Sequence, residues 1–118
     1  MSEGGSFVLF SGIAATKITV GTLGVAITNA AADTLARSLA LELAPIRVNA
    51  ISPGVIDSGA WDALGEEGKE KYYADMRARN PARRIGATDD VANTVLFAMS
   101  STFLTGQRLH IDGGEPLT

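Results

Sequence analysis

Apolar residues recur at every fourth position in Leu35, Leu39 and Leu43, a spacing that places them on one helical face. Pro45 cannot continue that helix, and a proline pushes the residue before it out of the helical region. Arg47-Val-Asn-Ala-Ile-Ser then alternates long and short side chains into Pro53-Gly54, where the backbone must turn. A helix that feeds a short strand through a few residues is the αβ half of a βαβ unit. Upstream, the apolar run Phe7-Val8-Leu9-Phe10 is bounded by Gly4-Gly5-Ser6 and Ser11-Gly12. It predicts a short strand buried on both faces, which needs neighbours on both sides. Residues 13–20 read as irregular. The helix is predicted from about 21–24 to about 44 on the apolar period. Ala26, Ala30, Ala31, Ala32, Ala36 and Ala40 give it a face of small residues. That face suits either simple helix propensity or close packing between subunits. Asp33 and Arg37 stand four apart with the acid first, the favourable order for a helix pair.

Residues 55–65 predict a loop carrying Trp61. Glu66 to Asn80 is charged and helix-forming, with Tyr72, Tyr73 and Met76 as its apolar side and Pro81 as its stop. Thr88 reads as the N-cap of a helix over 89–100, with Asp89 and Asp90 at its positive end. Val91, Val95, Leu96, Ala98 and Met99 give that helix a stripe expected to be buried. Gln107 to Ile111 predicts a third strand, closed by Asp112-Gly113-Gly114, and the tail 115–118 is expected to be loose. The order is β-α-β-α-α-β, which implies α/β architecture with a parallel sheet and right-handed crossovers. Three strands are few for a sheet that needs both faces covered.

Composition narrows the function. A chain of 118 residues is one domain at most. Net charge is −3 with both signs interspersed; no basic block points to nucleic acid. There is no cysteine, so thiolate catalysis and disulfides are excluded; this is compatible with a reducing cytoplasm, the expected location. No apolar run approaches the ~20 residues a membrane span needs, and Met1-Ser2-Glu3-Gly4-Gly5-Ser6 lacks the charged and apolar regions of a signal peptide.

Arg37-Ser-Leu-Ala-Leu-Glu-Leu-Ala-Pro-Ile-Arg-Val-Asn-Ala-Ile-Ser-Pro-Gly54 resembles the second half of the short-chain dehydrogenase/reductase family. Arg84-Ile85-Gly86, Asp90-Val91-Ala92, Thr105-Gly106-Gln107 and Asp112-Gly113-Gly114 resemble its later landmarks, in order. The similarity runs from about Gly4 to Gly114 and corresponds to about half of a typical member. It implies a partial Rossmann-like doubly wound sheet that lacks the N-terminal nucleotide-binding half. It also implies an NAD- or NADP-dependent carbonyl/alcohol oxidoreductase acting on a small molecule, with residues 58–82 as a substrate lid. Self-association through the Ala-rich helix and the last strand, as in the family's dimers and tetramers, is a further expectation.

The glycine-rich turn that would hold the pyrophosphate has no counterpart: Gly4-Gly5 precede a strand, and Gly21-x-x-Gly24 is an isolated pair. In the family a tyrosine transfers the proton, a lysine lowers the tyrosine's pKa and holds the ribose, and a serine orients the carbonyl. Counted back from Arg37-Ser38, these positions fall on Val25, Asn29 and Gly12. Ser11 adjoins the serine position and is the one weak catalytic candidate; Lys17, Tyr72 and Tyr73 are more remote ones. His110, the only histidine, reads as a packed or hydrogen-bonded structural residue, and no spacing suggests a metal site. On the cofactor side the resemblance assigns Pro53, Gly54, Val55, Ile56 and Ser58 to the nicotinamide end. Asn49 matches a structural asparagine. The expectation is a chain that transfers hydride weakly or not at all. The alternative is a non-catalytic binding or oligomerisation protein of the same fold.

Overall fold

The computed structural model describes residues 4–118; the reading of the first residues as lacking a leader lies partly outside them. The strand β1 (Ser6–Phe10) is followed by a 3-10 turn at Ile13–Ala15 and the helix α1 (Leu23–Glu42). Next come β2 (Arg47–Pro53), a two-residue strand β3 (Ile56–Asp57) and α2 (Gly65–Arg79). A second two-residue strand β4 (Gly86–Ala87), α3 (Thr88–Ser100), β5 (Arg108–Ile111) and a 3-10 turn at Glu115–Leu117 complete the chain. The main sheet is parallel in the order β1-β2-β5, with Phe10 opposite Ile51 and Ile51 opposite Leu109. β3 and β4 pair in parallel as a separate two-stranded element, Ile56 opposite Gly86.

β2 is central, and Arg47 to Ser52 are all buried. Its side chains alternate between the two faces. Val48 and Ala50 meet Ala36 of α1, with Leu9, Leu39 and Ala40 around them. Arg47 points the other way and caps α3. One of its terminal nitrogens donates to the carbonyls of Ala98 (2.8 Å), Ser101 (2.8 Å) and Leu104 (3.1 Å), and the other to that of Met99 (2.7 Å). A cation is thereby seated at a helix C-terminus, where the last carbonyls have no partners of their own. Asn49, fully buried, bridges the next loop: its amide donates to the Leu104 carbonyl at 2.9 Å and its oxygen accepts the Gln107 N–H at 3.1 Å. The structural role expected of Asn49 is thus to bring the α3–β5 loop onto β2.

Several expectations are corrected. β1 is not buried on both faces: Phe7 and Phe10 are 40% and 54% exposed, because β1 is an edge strand with β2 as its one neighbour. Of the leucines on one face of α1, Leu39 packs against the core while Leu35 and Leu43 are exposed, and the buried residues of the helix are Ala26, Asp33 and Ala36, since the close approach of α1 to the sheet selects small side chains. Asp33 pairs with Arg108 of β5 at 2.8 Å rather than with Arg37. On α3 only Ala98 is buried, and Leu96 and Met99 are exposed, because among the described residues no element covers their side. The N-cap of α3 is Ala87, one residue early. The Asp90 carboxylate accepts the Ala87 N–H at 2.7 Å and so serves the cap expected of Thr88. The tail is not loose: Glu115 is buried and hydrogen-bonded. His110 is exposed and accepts a hydrogen bond from Arg108 Nε at 3.1 Å, so the hydrogen-bonded alternative holds and the packed one does not.

Candidate functional site

Ligands of open parallel sheets bind beyond the carboxyl ends of the strands. Here that rim is built from Phe10-Ser11-Gly12 after β1, Pro53 to Ser58 after β2, and Asp112-Gly113-Gly114 after β5. The last two turns interlock. A Cβ on Gly54 would stand 2.8 Å from the Asp112 Cβ and 2.9 Å from its Cα, and one on Gly114, whose φ is +81°, would meet Pro81 at 2.8 Å. Only glycine lets these backbones approach so closely, which gives Pro53-Gly54 and Asp112-Gly113-Gly114 a shared physical cause.

Of the residues assigned to the nicotinamide end, Pro53, Ile56 and Ser58 line one groove of about 670 Å³ together with Phe10 and the α3 residues Thr88, Val91, Ala92, Val95 and Leu96. Val55 and Ile56 also line a smaller cavity beneath, with Asn80, Arg84 and Asp112. The Val55 carbonyl accepts the Gly86 N–H at 3.0 Å and is not free for a ligand. Parallel pairing of Ile56 with Gly86 leaves the Ile56 N–H and C=O outside that ladder. The groove is apolar and is bordered by the Ser58 hydroxyl and the Ile56 peptide group. Among the described residues no glycine-rich turn follows a strand to receive a pyrophosphate.

The hydride-transfer positions are substituted, and two of them lie side by side. Gly12 is buried, and a Cβ there would lie 2.6 Å from Nδ2 of Asn29. The Asn29 amide, at the lysine position, therefore lies beside Gly12 and would have to shift to admit a serine side chain there. Val25, one turn earlier on α1, is half exposed and has no proton to donate. Ser11 directs its hydroxyl back to the Ile51 carbonyl, a long contact of 3.4 Å.

The remoter candidates are engaged elsewhere. Lys17 Nζ donates to Oε1 of Glu115 at 2.8 Å, and Arg79 from the last turn of α2 reaches the same oxygen at 2.9 Å. Tyr72 lies against Trp61 with ring centroids 4.8 Å apart. Tyr73 donates to Asp57 at 3.3 Å. Burial pushes both phenols above their ordinary range, and Asp57 adds to the effect at Tyr73, whereas Arg79 partly offsets it at Tyr72. A phenol acting as general acid near neutral pH needs the opposite shift. Among the described residues no group of three or more His, Cys, Asp or Glu could hold a metal ion, and no helix is long and apolar enough to cross a membrane. Glu115, the buried centre of the cluster it forms with Lys17 and Arg79, carried no signal in the sequence beyond its place after a glycine pair.

A parallel α/β sheet with its interlocked turns gathered at the strand ends is one half of a Rossmann-like nucleotide fold. The chain belongs to the short-chain dehydrogenase/reductase family. A family model described as enoyl-(acyl carrier protein) reductase matches residues 1–115. The chain is similar to the 3-oxoacyl-(acyl-carrier-protein) reductase FabG of Aquifex aeolicus, 38% identical over 80% of this chain and 38% of that protein. It is also similar to the short-chain dehydrogenase/reductase ucsE of an Acremonium species, 33% identical over 97% of this chain and 43% of that one. A small-chain dehydrogenase solved in complex with NADPH superposes with a TM-score of 0.97 at 36% identity, covering all of this chain and 54% of its own. The chain thus spans about half the length, or less, of the relatives it matches.

Proposed function

We propose that this chain provides the nicotinamide-facing half of an NAD(P) site of the short-chain oxidoreductase type, and that as the 118-residue chain it transfers little or no hydride. The residues at the three hydride-transfer positions carry the reading: Gly12 offers no carbonyl-orienting hydroxyl, Asn29 no ribose-holding cation and Val25 no proton donor. The substrate class is a small carbonyl or alcohol compound. Residues 58–82, with the Trp61–Tyr72–Tyr73 cluster, are its lid, and the cytoplasm is the proposed location. Pro53, Gly54, Ile56 and Ser58 face the nicotinamide end, with Val55 contributing through the turn it stabilises.

Saturation-transfer NMR with NADH tests this reading. Transfer is expected to the nicotinamide protons and not to the adenine protons. Equal transfer to both ends, or steady NADPH oxidation with acetoacetyl-CoA as the carbonyl probe, would overturn it.

A second reading, a homo-oligomer without turnover, is favoured by one observation. Ile18, Val20, Leu23 and Ile27 surround a hollow of about 480 Å³ beside the first turns of α1, and all four are exposed. This reading places self-association on the Ala-rich helix and on the last strand. A monodisperse monomer on sizing would count against it.

A further inference from the structure

Independently of the cofactor half-site, we propose that the hollow between α1 and β5 is a second binding site, for a small carboxylate that carries a hydroxyl on the neighbouring carbon. The hollow, of about 370 Å³, is lined by Asp33, Thr34 and Arg37 of α1 and by Gln107, Arg108 and His110 at and within β5. Its buried member is Asp33, whose side chain is 8% exposed. Only one of the two carboxylate oxygens is used. Oδ2 accepts from Arg108 at 2.8 Å, whereas the buried Oδ1 meets no donor among the described residues. Buried carboxylate oxygens are normally hydrogen-bonded, and one without a donor is costly. The hollow therefore calls for a donor at Asp33.

The cation that helical spacing would give Asp33 is left over. Asp33 and Arg37 stand one turn apart, about 5–6 Å between Cβ atoms, but Asp33 has turned to Arg108. Arg108 is committed twice, through Nη1 to Asp33 and through Nε to His110 Nε2 at 3.1 Å. Arg37 is exposed on the same hollow and, among the described residues, makes no ion pair or side-chain hydrogen bond. One acceptor and one guanidinium, a turn apart, are thus unused by the fold. A ligand that meets both brings a donor for Asp33 and a carboxylate for Arg37, whose planar fork matches it. The short span places donor and carboxylate on adjacent carbons. Charge selects the donor: two guanidinium groups against one carboxylate leave one positive charge, which a hydroxy acid monoanion neutralises and an amino acid zwitterion does not. Thr34 and Gln107, both exposed at the hollow, add hydroxyl and amide groups that the ligand can share. The neighbouring hollow beside the first turns of α1 has no charged side chain in its lining and offers a carboxylate no such partner.

The test titrates the isotope-labelled full chain with sodium L-lactate, sodium propionate, lactamide and glycine, and follows the amide and arginine Nε signals by NMR at constant ionic strength. No cofactor is added, so the outcome is independent of the half-site reading. Lactate is expected to give saturable shifts at Thr34, Arg37 and Gln107 with a Kd of about 1 mM, the range of a few polar contacts. Propionate lacks the donor and lactamide lacks the charge, so each should bind about tenfold or more weakly. Glycine, a zwitterion, should also bind more weakly than lactate. Arg37→Ala, on an exposed position, should weaken lactate about tenfold or more while leaving the chain's own melt in place. Lactate shifts that do not saturate, propionate or glycine binding as tightly as lactate, lactate binding indifferent to Arg37→Ala, or a hollow closed to lactate by a second copy of this chain would each overturn the proposal.

Discussion

Replacing Arg47 by methionine is expected to be among the most damaging single changes to this fold. The side chain is buried at the start of the central strand, and its guanidinium reaches four carbonyls at the end of α3 and in the loop beyond it. Among the described ion pairs none involves Arg47, so its charge is balanced by the helix terminus and these carbonyls alone. Methionine keeps most of the apolar stem and removes every donor. A buried acceptor left unpaired costs about 1–3 kcal/mol. The Ala98 contact is fully buried, whereas the other three carbonyls are partly buried and regain some water. Loss of the cation from the helix end adds about 0.3–1 kcal/mol, up to about 2. The sum is about 3–5 kcal/mol, against a total of about 6–18 kcal/mol for a domain of this length at the usual stability per residue. At about 4 °C per kcal/mol this lowers the melting temperature by about 12–20 °C. The assay is a far-ultraviolet circular-dichroism melt beside Arg77→Met, which breaks the exposed 2.6 Å pair with Glu70 and should cost about 0–1 kcal/mol. Arg47→Lys should fall between, since one ammonium cannot reach all four carbonyls. If Arg47→Met melts within a few degrees of Arg77→Met, the guanidinium is not what joins α3 to β2.

Three other outcomes follow from the same geometry. Glu115→Gln removes the charge facing Lys17 and Arg79; because both cations are partly exposed, the expected loss is about 1–3 kcal/mol in a urea melt, and an unchanged midpoint would show that the tail turn is not fastened by this cluster. Asp90 is held at about 2 by the Arg84 guanidinium and the Ala87 N–H, against an ordinary value of 3.8. A depressed carboxyl contributes stability that is fully present above about pH 4 and is lost as pH falls toward 2; Asp90→Asn should flatten the midpoint in that window, and parallel pH profiles for the two proteins would contradict the assignment. Gly12 lies in extended backbone at φ −178°, so Gly12→Ser tests sterics alone. It should cost about 1–3 kcal/mol, and Asn29→Ala in the same chain should recover most of it, whereas additive effects would show that the two side-chain positions do not collide.

Local patterns made α1, β2 and β5 legible. The leucine period, Pro45, the alternation from Arg47 and the Pro-Gly stop are all read within a few residues. The burial of those elements was less legible, because burial depends on what lies across from a face. The α3 stripe has the right period, yet Leu96 and Met99 are exposed because nothing among the described residues covers them. β3 and β4 are two residues each, too short for any period to show. The charge cluster was invisible for another reason: Lys17 and Glu115 are separated by 98 positions and Arg79 and Glu115 by 36. Asp33 likewise found Arg108, 75 residues away, in place of its helical neighbour. At the candidate site the substitutions at Val25, Asn29 and Gly12 were readable one by one. That Asn29 fills the space beside Gly12 was not, since contact between a strand end and a helix face has no sequence spacing. The engagement of the Val55 carbonyl by Gly86 was hidden in the same way.

The most direct measurement is a thermal melt of the 118-residue chain with NADH, with reduced nicotinamide mononucleotide and with ADP-ribose, each near saturation. A ligand that binds only the native state stabilises it by about 2.7 kcal/mol at a hundredfold excess over its Kd. A nicotinamide-facing half-site predicts equal upward shifts with NADH and with the mononucleotide, and none with ADP-ribose. A shift with ADP-ribose, or a melt that ignores all three, would contradict it.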